Sequence, residues 1–248
     1  MSPEQQPRYA VYFAPSADSA LWREAQDWLG RDCASGAPLL QPALDGWSAA
    51  EISAVTRSPR HYGFHGTLKA PFRLAPGTTL ATLRERLGAF AAGETAFHAP
   101  PLKVSAIGAF IALTFSAPAP EMQALAAAAV QALDDLRAPL SEAEIARRLQ
   151  SGLTPRQEAL LRRWGYPYVL EEFRFHMTLT GRIEPAERRE RLQTQLAALL
   201  RPVLAEPVPV REICLYSQAD QNQPFLLAER FALGGTAAGQ AAAERTTA

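Results

Sequence analysis

The chain has 248 residues, 48% of them hydrophobic and 20% charged, an ordinary globular composition with enough length to bury a sizeable core. Lys+Arg and Asp+Glu both number 25, so no global basic field of the kind that holds long nucleic acid is present. Cys33 and Cys214 are the only cysteines, which argues against a disulfide framework or a zinc ribbon. Met1 to Arg8 is polar without an apolar h-region, and no apolar run reaches membrane-spanning length. These features predict a cytoplasmic monomer without a membrane partner.

In chain order, Arg8 to Ala14 alternates around Tyr9, Val11 and Phe13 and predicts a first strand, stopped by Pro15. Ser16 or Asp18 is placed to cap a helix through Leu21, Trp22, Ala25, Trp28 and Leu29. A loop over 30–46 and a short helix over 47–55 follow, and Ser58-Pro59-Arg60 leads into Tyr62-Gly63-Phe64-His65-Gly66-Thr67-Leu68-Lys69, read as a strand. Thr78 is placed to cap a helix carrying Leu80, Leu83, Leu87 and Phe90. Leu102 to Ile107 and Ala109 to Phe115 predict a hairpin, and an Ala-rich helix is expected over 121–137.

The segment 139–165 has the character of a helical insertion. Ser141-Glu142-Ala143-Glu144 resembles a capping box, and Thr154-Pro155 opens a second short helix. The chain then reaches Phe173-Arg174-Phe175-His176-Met177-Thr178-Leu179-Thr180, read as another strand. Pro185 begins a helix stopped by Pro202, and strands are predicted over 208–217 and 225–233. Residues 1–7 are expected to be flexible, 8–233 to form the folded domain and 234–248 to be disordered.

The two strand words repeat one pattern, aromatic-x-Phe-His-x-Thr-Leu, and use two of the chain's four histidines. Alternate residues of a strand share a face. His65, Thr67 and Lys69 would therefore line one wall of a cleft, and Arg174, His176, Thr178 and Thr180 the other. Two imidazoles, threonine hydroxyls and cations without carboxylates suit an anionic ligand and attack at phosphorus. One histidine would serve as base and the other as acid, since the unperturbed pKa is about 6.5. Tyr9 or Tyr12 from the first strand, and Gln218 from the late loop, are further candidates for substrate contact. His61 and His98 read as structural. A two-histidine metal site lacks a third ligand at suitable spacing, so no metal or cofactor is expected.

Paired His-x-Thr motifs in two similar halves resemble the 2H phosphoesterase superfamily. The words Arg8 to Pro15, Tyr62 to Lys69, and Gly165-Tyr166-Pro167-Tyr168 with Phe173 to Gly181 look like its branch associated with phosphonate-metabolism operons. The resemblance implies an α+β fold of two pseudo-symmetric lobes, with antiparallel sheets flanking a central cleft, plus the helical insertion. It implies His65 and His176 as the catalytic pair and Thr67 and Thr178 as phosphate binders. Lys69, Arg174, Tyr9 and Gln218 complete the expected substrate contacts. The implied activity is metal-independent hydrolysis of a small cyclic phosphate or phosphodiester. The alternatives are a non-catalytic nucleotide or phosphometabolite binder and an RNA-end phosphodiesterase or ligase. Gly66 stands between His65 and Thr67, where the sequence alone assigns it little consequence.

Overall fold

The computed structural model describes residues 6–234; the expectations for 1–5 and 235–248 fall outside them. The elements run β1 (Arg8–Phe13), α1 (Ala20–Leu29), α2 (Ala49–Tyr62), β2 (Gly66–Phe72), α3 (Leu80–Gly93), β3 (Phe97–Ala99), β4 (Leu102–Ile107) and β5 (Phe110–Phe115). They continue with α4 (Pro120–Ala132), α5 (Glu142–Leu149), α6 (Pro155–Trp164), β6 (Met177–Thr178), α7 (Ala186–Leu204), β7 (Val208–Val210), β8 (Glu212–Gln218) and β9 (Leu226–Ala232). This is the expected α+β class.

Seven strands form one antiparallel sheet in the order β4-β5-β6-β2-β1-β8-β9, and β3 pairs with β7 beside it. The sheet is pinched in the middle. β6 is only two residues long and joins β2 through the single pair Gly66↔Met177. That pair divides the sheet into β4-β5-β6 on one side and β2-β1-β8-β9 on the other, the two half-sheets that the doubled motif implies. α7 packs along β4, α4 along β2 and α3 along β9. Fully buried Trp28, Tyr12, Tyr216, Phe13 and Phe64 belong to one core that spans both halves. Burial of such apolar surface stabilises at about 25 cal/mol per Å².

Several boundaries depart from the sequence reading. α2 runs through Pro59 to Tyr62, so His61 and Tyr62 lie in its last turn and not at a strand start. The helix tolerates this because the Gly63 N–H, bonded to the Pro59 carbonyl, closes the turn. Ser19 and Thr79 cap α1 and α3, in place of Ser16 or Asp18 and Thr78. α7 continues past Pro202 to Leu204, and the late strand is broken between Val210 and Glu212. Both helices expected within 139–165 form, and Ser141 and Thr154 each make a complete capping box, on α5 and α6. Among the described residues no helix is long and apolar enough to cross a membrane.

Candidate active site

Both motif histidines meet at the pinch. Gly66 pairs with Met177 in antiparallel register, so one step along each strand sets His65 opposite Thr178 and Thr67 opposite His176. Residues directly opposite share a face. All four side chains therefore stand on one side of the sheet, related by a local twofold through the Gly66↔Met177 pair. The two imidazoles lie on a diagonal of this square, roughly 7–8 Å apart at their Cα atoms, a span suited to a phosphoryl group between them.

The duplication extends to single atoms. His65 Nδ1 lies 2.8 Å from the carbonyl oxygen of Gly63, and His176 Nδ1 lies 2.8 Å from that of Arg174, each two residues upstream. A carbonyl only accepts, so each Nδ1 carries the hydrogen and each Nε2 is left without a protein partner among the described residues. The Thr67 and Thr178 hydroxyls make no protein hydrogen bond among the described residues and are half-buried, so both can donate to an oxyanion. Thr180, expected beside them, is fully buried and accepts from the Ile111 N–H at 2.9 Å. It is a structural residue.

The walls differ in their surroundings. The Tyr12 ring stacks on His65 with centroids 3.7 Å apart and planes 16° apart. Burial lowers the His65 pKa to about 4; the bond to Gly63 works against that shift and the nearby His176 adds to it. His176 meets the Phe110 ring at 5.9 Å, and its bond to Arg174 lies at the surface. The Gly63 carbonyl is aimed by a backbone at φ 81°, open to glycine, and a Cβ there would fall 2.9 Å from Cys33 Sγ.

Four of the expected contacts sit elsewhere. Lys69 opposes Val11 whereas Thr67 opposes Tyr12, because the β1–β2 ladder slips by one residue between these pairs. Val11 and Tyr12 point to opposite faces, so Lys69 leaves the face of Thr67. It is 3% exposed, donates to the Val130 carbonyl at 3.0 Å and pairs with Asp134 at 3.5 Å. Arg174 is exposed, and its backbone carbonyl is the part that touches the site. Tyr9 belongs to the core on the face away from Tyr12; the aromatic that reaches the histidine is Tyr12. Gln218 is 1% exposed and occupied. Arg8 Nε donates to its Oε1 at 2.7 Å, which leaves its Nε2 to donate to the Gln223 carbonyl at 2.6 Å and His61 Nε2 at 3.0 Å.

Gly66 also matters more than its sequence position suggests. A Cβ on it would lie 2.5 Å from Phe175 Cε2, and that ring is stacked on Phe115 at 4.3 Å. The two motifs approach closely because one has no side chain at this point. Its signal in the sequence is the mismatch of the copies, Gly66 against Met177.

Among the described residues no three His, Cys, Asp or Glu side chains group as a metal site. A family model described as "Protein of unknown function (DUF1045)" matches residues 67–226, more than half of the chain. The chain belongs to the DUF1045 family. Curated relatives include a protein named ribose 1,5-bisphosphate phosphokinase PhnN from Janthinobacterium sp. (strain Marseille), 38% identical over 241 residues, which are 95% of this chain and 52% of that protein. A protein of the same name from Laribacter hongkongensis (strain HLHK9) is 39% identical over 180 residues, 73% of this chain and 41% of that protein. This DUF1045 chain thus spans about half the length of the curated relatives it matches. Similar solved structures include one described as a phosphoesterase, 14% identical with a TM-score of 0.38 over 92% of this chain and 99% of that one. Another is E. coli LigT in apo form, 16% identical with a TM-score of 0.41 over 93% and 99% of the two chains.

Proposed function

We propose that this chain is a metal-independent phosphoesterase that opens a small cyclic phosphate or phosphodiester by two-histidine acid/base catalysis. The observation that carries the reading is the duplicated bond from Nδ1 to a carbonyl two residues upstream, which presents two free Nε2 atoms across a square completed by two threonines. In the reaction one Nε2 takes a proton from the attacking water as its oxygen bonds to phosphorus. The other gives a proton to the departing oxygen as its bond to phosphorus breaks. Each such role contributes ~10²–10⁴-fold. The Thr67 and Thr178 hydroxyls donate to the nonbridging oxygens, where charge accumulates.

We read the roles from the unequal surroundings of the two rings. Desolvation lowers the His65 pKa, which suits that ring to the base, and we give the acid role to His176. A bound phosphate favours the imidazolium form of both rings, which strengthens the base once substrate is in place. Sugar phosphates are the favoured substrate class, in keeping with the name of the curated relatives. Their phosphokinase activity we leave to the part of those proteins that this chain does not match. The only lysines here are Lys69 and Lys103, and neither follows the Gly-x-x-x-x-Gly of a phosphate-binding loop.

The test is a screen of 2′,3′-cyclic nucleotides, ribose cyclic phosphates and 2′,5′-linked dinucleotides in the presence of EDTA, with His65→Ala and His176→Ala alongside. Turnover by the wild type alone supports the proposal. Saturable binding without product from any substrate would replace it with a metabolite sensor, and full activity in both variants would overturn the mechanism.

A further inference from the structure

A second cavity, of about 70 Å³, lies where the end of β2 meets the helical insertion. That is several times the ~10–15 Å³ that one water needs. Neither motif histidine lines it. Its wall carries six cations, Arg8, Lys69, Arg73, Arg137, Arg147 and Arg148, against one carboxylate, Glu144. The excess is local, because the whole chain balances 25 basic against 25 acidic residues.

Three of the six have structural partners. Arg73 grips Glu144 with two bonds of 2.7 Å, which docks α5 against the end of β2. Lys69 and Arg137 share Asp134, at 3.5 and 3.0 Å. The other three, Arg8, Arg147 and Arg148, pair with no carboxylate among the described residues. Arg8 and Arg148 are partly buried and Arg147 is exposed, so all three guanidinium groups are free to meet an anion. The crowding shows in Arg8, whose pKa is lowered first by burial and further by Arg73 and Arg148.

Arg8 is also held in place. Gln218 fixes its Nε, and its guanidinium lies over the Phe225 ring at 5.4 Å, which leaves its terminal nitrogens to face a ligand. Phe225 stacks on Tyr62 at 5.6 Å, and Tyr62 lies 6.4 Å from His65, so a chain of ring contacts links Arg8 to His65. Along β1 the step from Tyr12, the ring stacked on His65, to Arg8 is four residues, or ~13 Å. On the regular β1–β8 ladder an even step separates Arg8 from Tyr12, so both side chains stand on the same face of the strand. Trp164 and Tyr166 line the same cavity, and the Arg148 guanidinium lies 5.6 Å from the Tyr166 ring centre.

We infer that this cavity binds a second phosphate or phosphonate group on the substrate, so that the substrate is a sugar with one phosphoryl group at the histidines and another anionic group between Arg8, Arg147 and Arg148. The inference deepens the phosphoesterase reading and rests on it for the identity of the first group.

Calorimetric titration with ribose 5-phosphate and with ribose tests the cavity without any turnover. The sugar phosphate binds and ribose does not. The Arg147→Gln/Arg148→Gln double variant, with an unchanged circular dichroism spectrum, binds ~10-fold or more weakly, the scale of a lost charge-assisted hydrogen bond. Binding also weakens with added salt. Equal affinity of wild type and double variant, or no binding of ribose 5-phosphate at all, overturns the inference. In the kinetic arm, a 2′,3′-cyclic nucleotide with a 5′-phosphate is compared with the same compound without it. The wild type prefers the doubly charged substrate through KM, and Arg148→Gln loses ~10-fold of that preference. Binding that depends on Arg148 without turnover of any cyclic phosphate would sink the phosphoesterase reading and leave the cavity standing.

Discussion

The two motif walls spell nearly the same word and make the same backbone contact, yet they are not equivalent. His65 lies under the ring of Tyr12, with its Nδ1 partner supplied by a glycine carbonyl at the end of a helix. His176 sits on a two-residue strand beside Phe110, with a partner supplied by an exposed arginine. Duplication supplies the chemistry twice, and the packing around each copy makes the copies different. A symmetric site can then hold one ring as base and the other as acid.

The largest effect expected is on turnover. His65→Ala and His176→Ala each lower kcat by ~10²–10⁴-fold with thermal unfolding little changed, read in a steady-state assay on any substrate the screen yields. If the roles differ as assigned, the acid limb of the kcat/KM profile belongs to His65, and weakening the stack with Tyr12→Leu shifts that limb.

Stability against pH separates the walls next. Folded His65 takes up a proton near pH 4 and the unfolded chain near 6.5. Between those values the unfolded state binds the extra proton, so stability falls as pH drops from about 6.5 to about 4. The loss is at most about 3 kcal/mol. Urea titrations of wild type and His65→Gln across this window measure it; parallel slopes would show that His65 is not held neutral.

The glycines come third. Gly66→Ala forces the Phe175 ring off Phe115 and costs ~1–3 kcal/mol, and Phe175→Leu in that background recovers part of the loss. Gly63→Ala strains a φ of 81° and costs a similar ~1–3 kcal/mol, with a drop in kcat as the carbonyl moves. The smallest effect belongs to the matching position on the other wall. Arg174→Ala stays within about 0.5 kcal/mol of wild type, since its carbonyl is what His176 uses. A large loss of kcat/KM in that variant would restore the arginine side chain as a substrate contact.

The sequence revealed the repeat, the α+β class and the capped helices of 139–165, and the structure brings its four repeat residues, His65, Thr67, His176 and Thr178, onto one face. Those features follow from local chemistry: alternation, capping residues and a rare motif said twice. It misplaced Lys69 because face assignment assumes an unbroken ladder, and the slip between Val11↔Lys69 and Tyr12↔Thr67 is a tertiary event. The sequence also read Tyr62 as the start of the motif strand, where Pro59 looked like a boundary but sits inside the last turns of a helix. Tyr9 and Tyr12 differ by three residues and so by a face, a distinction that needed the register to β2. Gln218 was read as a loop residue open to substrate, but it ends β8 and holds Arg8, a partner 210 positions away that local pattern does not reveal.

The slip in β2 has one more consequence. In a regular strand Thr67 and Lys69 would compete for one compartment. With one residue out of step, the strand works as a switch in the wiring, sending a hydroxyl to the histidines and, two positions later, an ammonium to the cationic cavity. Two compartments are thus served by a single rigid rod, and the distance between them is set by the backbone itself.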